Sequence, residues 1–494
     1  MFSSLNPIPS FPAYTGPYKV GSSEVEIPIS EIPSESLVPE AKITSIKFRV
    51  FYPTKSDATS KKSVSWLPDP HKDAMAALIG FTGSGPRVQK LLNLFPNILS
   101  YVDIPAVRDA PLLSRSSPYP VVIFSHGLGG NANAYSSICG NLASCGIVAF
   151  APEHRDGSCP VAFAKTKRSN SISTAYKVPY QRYAHRPDPE VLEARNKQLR
   201  IRLWELELLY STIAALNVGK KFDTFSTSIP PTFTSKLDLT PGSVTWAGHS
   251  FGGATTVQFV KSVFYHESLP TPPHDSEDDW TPLYKPSANH ALVSQITSQS
   301  PLILLDLWTM PLRGYLTEWL WEKPLPCYAR SNSQSANVLA IMSTEFTGYT
   351  ELIIRMKALL SRDPVAALRK LESATSSETS SIISASPSSS TNSSSDTLTN
   401  ISSEPLLFTT PQSAHLSQSD FGPLFPYVNK RFLKVDDPDM KIQINTRAIL
   451  QAMRMSGIEV GSVLPEKLKE TRGWDEVILV GDGKTGLVRM RLEA

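Results

Sequence analysis

Four cysteines in 494 residues, a net charge of +3 and the absence of any long apolar run exclude several protein classes together. Cys139, Cys145, Cys159 and Cys327 match no common zinc spacing, and they fit reduced thiols in an intracellular chain. A charge so near neutral gives no footprint for nucleic acid. No segment approaches ~18 consecutive apolar residues, so no transmembrane helix is expected. The opening MFSSLNPIPSFPAYTGPY has neither a basic start nor an apolar stretch, and no secretory leader is expected. Phe2 stands where a myristoylated glycine would be needed, and the closing RLEA is not a prenylation box. The expectation is a cytoplasmic protein whose membrane contact, if any, is peripheral.

What the chain does have is alternation. Val121–Phe124, Ile147–Ala151, Val244–Ala247, Leu302–Leu305 and Val338–Ile341 read as short buried strands. Helical patterns lie between them. The clearest spans Val191–Leu216, where Leu199, Leu203, Leu206, Tyr210 and Ile213 recur at three- and four-residue steps. Strands alternating with helices predict an α/β protein with a mostly parallel sheet covered on both faces. One catalytic domain over residues 1–494 accounts for the pattern. Ser158–Pro189 reads as polar and irregular, and residues 266–287 read as a surface insertion rich in Pro, Asp and Glu. Residues 372–403 are dominated by Ser and Thr and are expected to be disordered.

Gly248-His249-Ser250-Phe251-Gly252 satisfies G-x-S-x-G. A strand candidate precedes it and a helix candidate, Gly253–Tyr265, follows, which is the setting a nucleophile elbow requires. Ser250 is the candidate nucleophile. Its chemistry needs two N–H donors for the oxygen anion of a tetrahedral intermediate. One is the amide of the next residue, Phe251. The other comes from a glycine-rich loop after an earlier strand, here His126-Gly127-Leu128-Gly129-Gly130, with Leu128 as the donor. His126 and His249 are read as packing and hydrogen-bonding groups rather than ligands or bases.

The acid and the histidine follow from order. In such enzymes the triad runs Ser, acid, His. Asp306 terminates the strand candidate Leu302–Leu305, and only His415 lies downstream of it. The predicted triad is therefore Ser250, Asp306 and His415, with Asp420 a rival acid only if the order fails. The backbone donors supply the polarisation, so no metal or cofactor is called for.

Several stretches together resemble the platelet-activating-factor acetylhydrolase family. These are FSHGLGG, YSSICGNLASCGIVAFAPEHRDGS, AGHSFGGATT, LDLWTMPL and SAHLSQSDF, in that order from near Gly16 to near Asp475. The resemblance matches at Ser250, Asp306, His415, Leu128 and Phe251. It implies an α/β-hydrolase fold and calcium-independent hydrolysis of short or oxidised acyl chains from the sn-2 position of phospholipids. It fixes no compartment, because neither the leader of the secreted branch nor the glycine anchor of the intracellular one is present.

A lipid esterase must meet its substrate in an aggregate. Residues 88–102 cluster Leu91, Leu92, Leu94, Phe95, Ile98 and Leu99, and read equally as an interfacial helix or a buried one. Two other functions stay open at this point: an esterase or lipase of another ester class, and a non-catalytic relative that binds partners.

Overall fold

The computed structural model describes residues 8–56, 63–83, 98–168, 171–226, 228, 230–270, 280–329, 337–377, 405–464 and 475–492. A ten-stranded sheet runs through it. Numbered in chain order, its strands are β1 (Lys19–Pro28), β2 (Ser45–Thr54), β3 (Val107–Arg108), β4 (Val121–Ser125), β5 (Val148–Glu153), β6 (Thr245–His249), β7 (Leu302–Leu305), β8 (Val338–Ser343), β9 (Leu406–Thr410) and β10 (Val488–Arg489). Their spatial order is β10-β9-β8-β7-β6-β4-β5-β2-β1-β3. The run from β5 to β9 is parallel throughout. β2 joins it antiparallel through β5, and β1 pairs antiparallel with β2. Eight strands in the order 1-2-4-3-5-6-7-8, with the second reversed, are the α/β-hydrolase arrangement, here extended at the edges by β3 and β10.

Side-chain alternation divides the core in two. On one face Ile123, Trp246, Leu302 and Leu304 pack with the helices Pro189–Asn217 and Phe251–Phe264. On the other, Val122, Phe124, Ala247, Ile303 and Leu305 pack with Ser136–Ser144 and Pro438–Met455. Leu199, Leu203, Leu206, Tyr210 and Ile213 are all buried, as their spacing predicts.

Two segments depart from the sequence reading. Ser158–Pro189 is not irregular throughout, because Val161–Arg168 and Ser171–Pro179 pair antiparallel. β1 and β2 escaped notice because their inward faces carry charge. Lys47 lies 3.2 Å from Glu153 and 3.5 Å from Glu24, and Arg49 lies 3.1 Å from Glu24. Buried charges paired across strands look like loop composition when read along one strand.

Of residues 372–403, those to 377 close the helix Pro364–Ser377, and the rest lie outside the described residues. Residues 271–279 of the insertion at 266–287, and 88–97 of the leucine-rich stretch, lie outside them too. Ile98–Tyr101 forms a short 3-10 turn with Leu99 buried and Tyr101 exposed. Among the described residues no helix is long and apolar enough to cross a membrane.

Candidate active site

β6 ends at His249, and the helix Phe251–Phe264 begins two residues later, so Ser250 occupies the turn alone. Its backbone sits at φ 56°, ψ −117°, a conformation that strains any L-residue. The turn is held from both sides. The Ser250 N–H donates to the Leu305 carbonyl at 2.9 Å, and the Ser250 carbonyl accepts from Trp308 at 3.3 Å. Gly252 is obligatory, since a Cβ there would lie 1.9 Å from the Ser125 carbonyl oxygen. A Cβ at Gly248 would lie 2.3 Å from the Gly252 carbonyl oxygen.

Asp306 follows β7 directly and is fully buried. Its φ of 41° is also in the left-handed region, with the N–H tied to the Ile341 carbonyl at 2.9 Å. Three donors converge on its carboxylate: the Ser343 N–H at 2.5 Å, the Ser343 hydroxyl at 2.6 Å and His415 Nδ1 at 2.9 Å. A carboxylate accepting at Nδ1 puts the proton there and leaves the lone pair on Nε2. The His415 ring is further held by Phe346, stacked at 4.2 Å, and its backbone N–H donates to Glu345 at 2.8 Å.

Ser250 and His415 line one cavity of about 710 Å³, with Leu128, Trp308, Phe346 and Tyr349 among its walls. Among the described residues the Ser250 hydroxyl makes no hydrogen bond to the His415 ring. In substrate-free sites such contacts are commonly long and tighten when substrate binds. Asp420, the rival acid, serves elsewhere. Its carboxylate accepts from Ser136 N, Ser137 N and Trp66 Nε1 at 2.8–3.0 Å, capping the helix Ser136–Ser144.

The HGLG loop lies against the turn: a Cβ on Gly127 would come 3.0 Å from the Ser250 Cβ. Gly129 has φ +72°, which glycine adopts freely. The amides of Leu128 and Phe251 have no backbone acceptor outside helical turns among the described residues. Tyr135, which no motif singles out, links loop and elbow. Its hydroxyl accepts the Gly127 N–H at 3.1 Å and shares a hydrogen bond with His249 Nδ1 at 2.7 Å. Burial, then the His415 charge, holds the His249 pKa well down, so the ring is neutral. His126 is likewise structural: Nε2 accepts the His154 N–H at 3.1 Å, and burial pushes its pKa down to about 3.

Nitrogens of His249 and His415 and an oxygen of Asp306 lie within 4.8 Å of one another, close enough in spacing for a metal. The Asp306 oxygen and His415 Nδ1 already satisfy each other, and Tyr135 occupies His249 Nδ1. The donor set fits a hydrogen-bonded pair better than a coordination shell.

A reversed second strand, a serine at positive φ after the central strand and a buried acid–histidine pair beyond it place this chain among the α/β-hydrolase carboxylic ester hydrolases. More narrowly, it belongs to the family "platelet-activating factor acetylhydrolase, isoform II", whose model matches residues 4–463. The resemblance read from the motifs is borne out. A Schizosaccharomyces pombe protein named "Putative phospholipase A2" is 26% identical over 94% of this chain and 98% of its own length. A platelet-activating factor acetylhydrolase of Bos taurus is 32% identical over 42% of this chain, and that match spans 45% of the bovine protein. Among solved structures, a ferulic acid esterase from Streptomyces cinnamoneus aligns over 98% of this chain with a TM-score of 0.47 and 12% identity.

Proposed function

We propose that this protein hydrolyses the sn-2 acetyl or short or oxidised acyl ester of phospholipids through a covalent acyl-enzyme on Ser250, as a 1-alkyl-2-acetylglycerophosphocholine esterase does. His415 Nε2 takes the serine proton as the hydroxyl oxygen attacks the ester carbonyl. The Leu128 and Phe251 N–H groups receive the oxygen anion. The proton passes to the departing lysophospholipid oxygen. Water, deprotonated by His415, then attacks the acyl carbonyl and frees Ser250. No metal takes part in this scheme. The observation that carries the reading is the hydrogen bond from His415 to the buried Asp306, facing the cavity that Ser250 also lines.

The family and the names of its relatives favour a phospholipid over other esters. The cavities agree with that chemistry. A second chamber of about 1020 Å³ shares Phe81, Leu128, His415 and Leu416 with the first, and Met75, Leu78, Ile79, Phe421 and Leu433 make it apolar enough for a hydrocarbon chain. The first carries Arg313 and Arg355, bridged by Glu351, as charged groups suited to a zwitterionic headgroup. Contact with the lipid aggregate is peripheral, through the rim of the apolar chamber, where Tyr427 and Phe432 stand exposed beside Lys430 and Arg431. Of the stretch 88–102, the exposed Ile98 lines the same chamber and belongs to that contact in the same proposal.

Turnover measured against sn-2 chain length, from acetyl to long acyl, tests the reading, with Ser250→Ala as control. Short and oxidised chains should be hydrolysed fastest, and Ser250→Ala should lose roughly 10⁴-fold or more. A preference for simple aryl esters over every phospholipid, or near-normal turnover without the serine hydroxyl, would overturn it.

A further inference from the structure

The helix Pro189–Asn217 carries two arginines seven residues apart, hence on one face, below the residue that follows Ser250. Both side chains are fully buried. Both guanidinium groups approach the Phe251 ring, Arg202 at 4.3 Å from its centre and Arg195 at 5.6 Å.

Every nitrogen of the Arg202 fork donates a hydrogen bond. Nε donates to Asp156 Oδ2 at 2.6 Å, Nη2 to the Ser158 hydroxyl at 2.6 Å, and Nη1 to the His126 carbonyl at 2.9 Å and the Thr255 hydroxyl at 3.2 Å. These acceptors lie on two sides of the site. The His126 carbonyl opens the HGLG loop, and the Ser158 carbonyl accepts the Gly129 N–H at 2.8 Å. The Thr255 hydroxyl passes its own proton to the Phe251 carbonyl at 2.9 Å. One side chain therefore ties the loop on either side of Leu128 to the first turn of the elbow helix.

Arg195 is bound differently. Nη1 donates to Gln198 at 2.6 Å, but Nε and Nη2 have no hydrogen-bond partner, and it makes no ion pair among the described residues. Aromatic rings hold it instead, Trp308 at 5.2 Å and Tyr183 at 5.3 Å. The nearby carboxylate, Asp156, already serves Arg202. Burying a cation without an ionic partner is costly, so its retention asks for a compensating negative charge. A tetrahedral intermediate at Ser250 supplies one, at the residue next in sequence to the Phe251 ring that Arg195 faces.

We propose that Arg202 and Arg195 are positioning residues of the oxyanion site: Arg202 keeps the Leu128 and Phe251 donors in register, and Arg195 directs an unpaired positive charge toward the oxygen anion they bind. This rests on the reading of Ser250 as nucleophile.

Two variants separate the parts. Arg202→Lys keeps the charge and loses the fork, whereas Arg195→Met keeps the packing and loses the charge. Each is assayed on an oxoester and on the thionoester of the same acyl group, whose sulfur draws little from N–H donors. The oxoester kcat should fall about tenfold or more in each variant, with KM changed less than about twofold. The thionoester kcat should barely move, so the oxo-to-thiono ratio falls. Equal losses on both substrates, or an unchanged oxoester rate, would overturn the proposal. If Arg202→Lys fails to fold, Thr255→Val and Ser158→Ala each cut one link, and the same ratio is read. Fluorophosphonate labelling of the unaltered protein keeps the two levels apart. Failure to label Ser250 removes the serine mechanism and this proposal with it, while labelling with an unchanged ratio removes only the arginines' role.

Discussion

The imidazole of His415 lies flat on the ring of Phe346, with centroids 4.2 Å apart and planes 3° apart. Phe346 belongs to the short helix Thr344–Thr347, which starts from Ser343, and Ser343 holds Asp306 with both its N–H and its hydroxyl. The residues that hold Asp306 and stack on His415 are therefore three positions apart on one turn. The far face of the imidazole meets the His249 ring at 4.4 Å, so His415 is confined between two rings and hinged on Asp306.

Removing the Phe346 ring should loosen that confinement without touching the hydrogen bond to Asp306. Phe346→Ala is expected to lower kcat about tenfold or more, since a base misplaced by an ångström loses much of its effect. KM for a short-chain ester should change far less. Steady-state kinetics check this. A variant that keeps full turnover would show that Asp306 alone aligns the ring.

The elbow glycines offer a test of local strain against a neutral control. Gly252→Ala places a methyl 1.9 Å from the Ser125 carbonyl oxygen, in rigid backbone where nothing can yield cheaply. The expected result is loss of folding or a destabilisation of more than about 3 kcal/mol. Gly80→Ala, in the helix His71–Phe81 with nothing within 4 Å of the new methyl, should instead stabilise by roughly 0.5–1 kcal/mol. Thermal denaturation of both variants reads the contrast.

The same physics explains what could be read from the sequence alone. β4, β6, β7 and β8 are buried on both faces and appear as plain apolar runs, so Leu302–Leu305 was located to the residue. The proposed triad follows from those strands, because Asp306 and Ser250 each sit just past the end of one. What stayed hidden depends on partners distant in the chain. Glu24, Lys47, Arg49 and Glu153 become strand residues only by pairing with one another. Tyr135 becomes informative only when His249, 114 positions away, is placed beside it. Arg195 and Arg202 look like the polar side of an amphipathic helix, and only burial shows otherwise.

Lys261 gives a pH dependence of stability with a definite sign. It lies inside the elbow helix, and its ammonium donates to the carbonyls of Leu320 at 2.9 Å and Lys323 at 2.6 Å. Burial pushes its pKa down from 10.5 to about 7, against a small opposing effect of Cys327. Between those values the unfolded chain binds more protons than the folded one, so stability rises with pH across that window. The contribution is complete above about 10.5 and is lost as the pH falls through about 7. Urea denaturation at about pH 7 and about pH 9.5 should show the unaltered protein gaining stability relative to Lys261→Met as the pH rises. An equal difference at both values would mean that Lys261 stays charged in the folded protein.

The rim of the apolar chamber yields a test of lipid contact that leaves Ser250, Asp306 and His415 untouched. Tyr427 is 75% exposed and Phe432 70%, on a single short helix that also carries Lys430 and Arg431. Val428 and Leu433, each next in sequence to one of these rings, line the chamber itself, so lipid held by the exposed rings would lie at the entrance. Burying one aromatic side chain contributes roughly 1.5–3 kcal/mol. Replacing both rings with Ser should therefore weaken binding to phosphatidylcholine vesicles by at least about tenfold. Adding anionic lipid should strengthen binding of the unaltered protein through Lys430 and Arg431, an effect that salt reduces. Turnover of a short, water-soluble ester should remain normal in the double variant, because neither ring lines the cavity of Ser250. Unchanged vesicle binding by a folded double variant would move the lipid-facing surface elsewhere on the molecule.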